Sequence, residues 1–184
     1  MLVKVLDQIT DDRLLEAAWN LYLEAFEDLN ARAAQRHLMY RPEFNEVMQD
    51  TRIDKYLAME ADGTLSGIAC YTNYLEAIPL IAPAYFERNW PEHFAARRIW
   101  YIVFVATSQH AQGNDAFAQI VEQMYLVAAT QNGLVGLDIC SYNDEVRRMS
   151  KIFRLMVGRL CNNNMRFSRV DQQSFWMYEF PTAA

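Results

Sequence analysis

Cysteine and histidine are scarce in this sequence, at three each in 184 residues, and glycine and proline are nearly so, at six and five. The cysteines, Cys70, Cys140 and Cys161, are far apart and odd in number. They form no CxxC pair and have no histidine at zinc-finger spacing, which excludes a thiolate metal site and a disulfide scaffold. Reduced thiols in a cytoplasmic protein are the expectation, with no bound metal. Positive charge is also short. Seventeen Lys and Arg against 23 Asp and Glu leave a net charge of −6, without any basic tract. That removes the electrostatic footprint of a nucleic-acid binder. No apolar run reaches the length of about eighteen residues that a membrane span needs. Asp7, Asp11 and Asp12 interrupt the start of the chain where a secretory segment would carry its apolar stretch.

What is present is apolar and aromatic. A hydrophobic fraction of 52% with 13% aromatics is enough to build a thick core, and 184 residues suit one domain spanning 1–184. Alternation at Val3 and Val5 predicts a first strand over Leu2–Ile9. Thr10, Asp11 and Asp12 then form a helix start, and Leu14, Leu15, Ala18, Leu21, Tyr22, Ala25 and Phe26 recur at helical spacing. A second helical region is expected over Ala31–Met39. After Pro42 a third carries Phe44, Val47 and Met48 on one side. Lys55–Ala61 and Leu65–Tyr71 read as a hairpin around Asp62-Gly63. Three prolines make Ile78–Pro91 a loop with one helical turn near Tyr85–Asn89.

Ile99–Ala106 is apolar throughout, the pattern of a strand covered on both faces. The polar segment Thr107–Asn114 follows, and a helix is expected from Asp115 to Gln131, closed by Asn132-Gly133. Leu134–Cys140 is a further strand. Asn143 or Asp144 then opens a helix with Val146, Met149, Ile152, Phe153, Met156 and Val157 inward. Phe167–Val170 and Ser174–Phe180 read as two final strands. By element order this is an α+β domain.

The order of elements, together with the strand, loop and helix at Arg98–Phe117, resembles the GNAT N-acyltransferase superfamily. The resemblance implies a central mixed, mostly antiparallel sheet flanked by helices on both faces. It also implies acetyl-CoA or another acyl-CoA as co-substrate, and direct attack by the amine of a small molecule or peptide. In that family the central strand offers main-chain groups to the cofactor, here Phe104, Val105 and Ala106. A loop and helix N-terminus receive the pyrophosphate, because helix N-termini carry unpaired N–H donors. Those positions fall on Gln109, His110, Gln112, Gly113 and Asn114.

Gly113 matches the family pattern. Asp115 stands where a small residue is usual, and would cap the helix while repelling phosphate. After the next strand the resemblance places a cofactor contact on Asn143. The usual tyrosine acid seven residues later is replaced by Ser150. Tyr142 is the nearest tyrosine that could donate a proton, and Glu76, after the third strand, the carboxylate that could accept one. Tyr85, Phe86 and Trp90 would lie on the acceptor side and suit a bulky acceptor. A second reading follows from the departures at Asp115 and Ser150: a non-catalytic protein of this fold that binds a ligand or a protein partner. The final strands could pair between two subunits as a homodimer.

Overall fold

The computed structural model describes residues 1–79, 81–109 and 111–180, leaving aside the side chains of 111–114. Five strands form one sheet in the order β1-β2-β3-β4-β5. They are β1 (Leu2–Leu6), β2 (Asp54–Met59), β3 (Leu65–Thr72), β4 (Ile99–Thr107) and β5 (Leu134–Gly136). The first four pair antiparallel and β5 runs parallel to β4. The sheet is therefore mixed and mostly antiparallel, with helices on both faces. Gly63, at φ +88, makes the β2–β3 turn, where Thr64 N–H donates to Asp62 Oδ1 at 2.9 Å.

Helices α1 (Asp12–Phe26) and α2 (Arg41–Gln49) cover one face. Asp11 caps α1 by accepting from Leu14 N–H at 2.8 Å. Tyr22, Phe44 and Met48 from these helices pack with Leu57, Ile68, Cys70, Phe104 and Ala106 of the sheet. The second helical region expected at Ala31–Met39 does not form. The chain makes a 3-10 turn at Glu27–Ala31 and then runs irregularly to α2. Its backbone is satisfied from outside. The buried Tyr22 hydroxyl donates to His37 O at 3.0 Å and accepts from Met39 N–H at 2.9 Å.

Helix α5 (Ala111–Thr130) covers the other face, with Ala116, Ile120, Val121, Met124 and Ala128 against Tyr56, Ala58, Ala69, Tyr71, Trp100 and Ile102. Two short helices, α3 (Pro83–Asn89) and α4 (Pro91–Ala95), each begin on a proline, which suits the first helical turn because its missing N–H is not needed there. With Leu75 and Ile78 they cover Ile99 and Tyr101 at the start of β4.

Sequence patterning cannot show the irregularity in β4. Cys70 pairs with Phe104 but Tyr71 pairs with Ile102, so Val103 is an extra, bulged residue. Ile102 and Phe104 stand two positions apart, yet one faces α5 and the other faces α1. A regular strand would put them on the same side.

The C-terminal third departs most from expectation. β5 ends at Gly136 instead of Cys140, a single π-helical turn spans Tyr142–Val146, and α6 runs Met149–Leu160 after Arg148 at φ 56. Phe153, Met156 and Val157 pack inward, whereas Val146 and Ile152 are exposed. The strands expected at Phe167–Val170 and Ser174–Phe180 are absent; residues 165–180 carry no regular structure. Their composition suits strands, but a strand exists only where a neighbour completes its ladder, and β5 is the last strand of the sheet.

Candidate active-site cleft

The site begins where β5 leaves β4. The parallel pairing consists of Ile99 with Leu134, Trp100 with Val135 and Tyr101 with Gly136. Beyond Tyr101, β4 continues to Thr107 with β3 on one edge and, among the described residues, no strand on the other. Backbone donors and acceptors on that edge are thus open to a ligand that binds as an extended strand. Phe104, Val105 and Ala106 lie within this stretch.

Tyr101 is built into the point of separation. A Cβ added at Gly136 would lie 2.9 Å from Cδ2 of the Tyr101 ring, so only glycine fits beside it. The Tyr101 hydroxyl donates to Asp138 Oδ1 at 2.9 Å, two residues after β5 ends. Burial, and then the Asp138 carboxylate, push the tyrosine pKa far above its ordinary value, so it is a fixed hydrogen-bond donor at neutral pH. None of Tyr101, Gly136 and Asp138 stood out in the sequence. The short Gly-x-Asp spacing at the end of a strand was the available signal.

The bulged Val103 packs against both the α1–α2 cluster and the α3–α4 cluster. It lies where one helical cover gives way to the other. Tyr85, Phe86 and Trp90, expected in a loop with one helical turn, belong to α3 and its C-terminal end. Phe86 and Trp90 pack on Ile99 and Tyr101 as core cover, and the Tyr85 hydroxyl donates to Val170 O at 3.0 Å.

At the far end of the open edge stands the N-terminus of α5. This helix begins at Ala111, four residues earlier than expected, so Gly113 belongs to its first turn and not to a loop. Asp115 is therefore no cap. It is exposed in the second turn, where the influence of the helix terminus has faded. His110 lies outside the described residues, as do the side chains of Gln112, Gly113 and Asn114. Gln109 is tied to α1: its N–H donates to Glu24 Oε1 and its Nε2 to Glu24 O, both at 3.3 Å. A carboxylate thus already approaches the backbone beside this terminus.

The segment after β5 carries Tyr142 and Asn143. The Tyr142 ring receives the guanidinium of Arg32 at 5.0 Å and that of Arg147 at 5.7 Å, within cation–π range. Asn143 Oδ1 is buried without a hydrogen-bond partner among the described residues, an open acceptor. Ser150 donates a short hydrogen bond to Asp144, which also pairs with Arg169 at 2.8 Å. Ser150 is thereby occupied with structure.

Glu76 lies toward the start of β4: Leu75 beside it packs on Ile99 and Tyr101. It sits on the 3-10 turn Leu75–Ala77, beyond the start of β4, whereas Gln109 follows the end of that strand. It is exposed and pairs with Arg97 at 3.2 Å. A hydrogen bond to its own backbone N–H, with help from Arg97, holds its carboxyl below the usual range, which weakens it as a base. It borders a depression of about 400 Å³ lined by Asn73, Leu75, Pro83, Phe94, Arg97 and Ile99 of β4.

The fold has counterparts among solved structures. A mutant of the BH1408 protein from Bacillus halodurans superposes with a TM-score of 0.55 at 9% identity, over 96% of this chain and all of that one. A probable acetyltransferase matches with a TM-score of 0.54 at 12% identity, over 100% and 99% of the two chains. The aminoglycoside acetyltransferase meta-AAC0020 from an uncultured soil metagenomic sample, in complex with trehalose, gives 0.50 at 8% identity over 97% and 96%. The chain has a GNAT-like fold. No family model and no curated protein matches it by sequence. Among the described residues no helix is long and apolar enough to cross a membrane, and no cluster of three or more His, Cys, Asp or Glu gathers to hold a metal.

Proposed function

We propose that the protein is an acyl-CoA-dependent N-acyltransferase, with acetyl-CoA as the donor and the amine of a small molecule or peptide as acceptor. The observation that carries this reading is the open edge of β4 beyond Tyr101, which runs from the parting with β5 to the N-terminus of α5. The edge suits an extended pantetheine arm, and the helix terminus suits a pyrophosphate. The GNAT-like fold of the structural neighbours supports the same assignment. The acyl thioester is the chemistry that the bound cofactor supplies.

In this reading the main chain at Phe104, Val105 and Ala106 holds the arm and polarises the carbonyl. Asn143 Oδ1 accepts from the cofactor, and backbone N–H groups at the start of α5 hold the phosphates. Tyr142, whose ring lies under the guanidinium groups of Arg32 and Arg147, is the tyrosine assigned in this reading to return a proton to the departing thiolate. Glu76 lies toward the start of β4, the thioester end of such an arm, but its ion pair with Arg97 and its lowered carboxyl pKa weaken it as a base. The free thiols of Cys70, Cys140 and Cys161 suit the reducing cytoplasm.

The test is binding. Acetyl-CoA at millimolar concentration should raise the melting temperature by mass action, and calorimetry should give one site per chain. Absence of binding by CoA, acetyl-CoA and longer acyl-CoA alike would overturn the proposal. A second reading, a non-catalytic ligand-binding or interaction module, draws on the Glu24 carboxylate at Gln109 and on Ser150 in place of the usual acid. Binding of CoA without thiol release in the presence of any of a panel of amines would favour it.

A further inference from the structure

The depression beside Glu76 combines an apolar lining with two opposite charges. Its volume of about 400 Å³ falls in the range of small-molecule sites, about 300–1,000 Å³. Leu75, Phe94 and Ile99 supply apolar lining, and Asn73, Glu76 and Arg97 supply polar groups. Ile99 stands two residues before Tyr101, about 7 Å along the strand. Leu75, Phe94, Ile99 and Tyr101 belong to one packed cluster, so the depression adjoins the point where β4 and β5 part.

Arg97 is fixed from three sides. Its backbone takes the left-handed conformation at φ 51, which residues with a side chain seldom adopt. Its carbonyl accepts from Asn73 Nδ2 at 2.9 Å, and its guanidinium lies over the Tyr74 ring at 4.3 Å. Its ion pair, in contrast, is loose. Nη1 and Nη2 both donate to the single oxygen Oε1 of Glu76, each at 3.2 Å. Arg36 shows the closed form of such a pair: it grips both oxygens of Glu43, at 2.6 and 2.7 Å. A guanidinium so well placed and a carboxylate so weakly engaged can each turn to a ligand of opposite charge.

We propose that this depression binds a free α-amino acid with an apolar side chain, its carboxylate on Arg97, its ammonium on Glu76 and its side chain against Leu75, Phe94 and Ile99. The two charges of the site are adjacent, and those of an α-amino acid hang on one carbon. A polyamine would set a second cation against Arg97, and a simple carboxylate would set an anion against Glu76, so both are disfavoured by like charge. Glu76 is ionised for this role, since its own N–H and Arg97 hold its carboxyl below the usual range. On the acyltransferase reading, on which this last part rests, the amino acid is the acceptor. Its ammonium gives one proton to water. The neutral amine then forms a C–N bond at the thioester carbonyl, the C–S bond breaks, and the thiolate takes a proton from the attacking nitrogen. The products are an N-acyl amino acid and CoA thiol.

The experiment is calorimetry of the full chain with L-leucine and L-phenylalanine, with and without saturating CoA. Each amino acid is run beside the amine and the acid that lack one of its charges: isoamylamine and isocaproate, phenethylamine and hydrocinnamate. At least one amino acid should bind once per chain, about tenfold or more tighter than either of its fragments, because each fragment loses a charge-assisted hydrogen bond. Arg97→Gln should weaken the amino acid by about tenfold and leave the amine unchanged or tighter. Glu76→Gln should weaken the amino acid likewise and leave the acid unchanged or tighter. Both side chains are half-exposed, so both variants should keep the far-ultraviolet circular dichroism of the native fold. Amino-acid binding by a chain that binds no CoA upholds the site and overturns the acyltransferase reading. CoA binding with neither amino acid bound in either condition overturns the inference. So does a fragment that binds as tightly as its amino acid, or a folded variant at Arg97 or Glu76 with wild-type affinity for the amino acid.

Discussion

The Tyr101 hydroxyl donates to Asp138 Oδ1 at 2.9 Å while its ring lies where a side chain on Gly136 would be. One residue of β4 thus both ends the pairing with β5 and ties down the chain that leaves it. Tyr101→Phe keeps the ring and removes the hydrogen bond, and should cost about 1 kcal/mol in urea unfolding. Gly136→Ala forces the ring aside and should cost about 1–3 kcal/mol. Because both act on one contact, Tyr101→Ala with Gly136→Ala should cost less than the sum of the single changes. Strict additivity would show that the ring does not limit residue 136.

Glu24 approaches the backbone where the proposed pyrophosphate site begins. Its charge opposes an incoming anion at a helix terminus, an effect of up to about 1 kcal/mol. Glu24→Gln should therefore tighten CoA binding roughly 3–5-fold in calorimetry, the ratio to which such an energy corresponds. Weaker binding would mean that Glu24 positions the loop and does not compete with the ligand.

Lys55 is fully buried on β2, and its Nζ donates to the carbonyls of Asp7 at 2.8 Å, Asp50 at 2.6 Å and Ile53 at 2.7 Å. The ammonium ties the chain after β1 to the loop between α2 and β2. Burial lowers its pKa, though the carbonyl oxygens favour the charged form. Lys55→Met preserves much of the volume but leaves three carbonyls unpaired, and should cost about 3 kcal/mol of stability by denaturant titration. A loss well under 1 kcal/mol would mean that water replaces the ammonium.

Burial pushes the Tyr22 and Tyr56 hydroxyls from 10.0 up to about 12, and the Cys70 thiol from 9.0 up to about 12. Above pH 9.0 the unfolded chain releases protons that the folded chain still holds. The stabilising contribution is complete below that pH and is lost as pH rises through about 12. Melting temperatures should fall from pH about 9 upward. Cys70→Ala should delay the onset by roughly one unit, toward the tyrosine range, even if the cavity lowers stability overall. An unchanged onset would assign the effect to other groups.

Much of the sheet was legible because its signals are local. Asp62-Gly63 marks a turn by backbone chemistry, Asp11 marks a helix start by capping, and Phe44 with Met48 marks a buried helical stripe. The start of α5 was misplaced because Gly113 and Asp115 look like a loop and a cap, while Ala111 and Gln112 are good helix formers that extend the helix forward. The strand-like tail was misread for the opposite reason. Pattern reports what a segment suits, and pairing depends on a neighbour that sequence does not supply. The cleft itself was half legible. Phe104, Val105 and Ala106 fall on the stretch of β4 that β5 does not pair, whereas Tyr101, Gly136 and the bulge at Val103 depend on register between strands.

That bulge makes β4 a phase shifter. Before Val103, even-numbered side chains feed the α5 layer; after it, they feed the α1 layer. Excising Val103 would leave every remaining residue chemically suited to a strand, yet half of the strand would be out of phase. Either Trp100 and Ile102 or Phe104 and Ala106 would be delivered to the opposite core. The length of β4 is thus constrained by a parity rule, and a one-residue deletion there should be more damaging than many substitutions of its side chains.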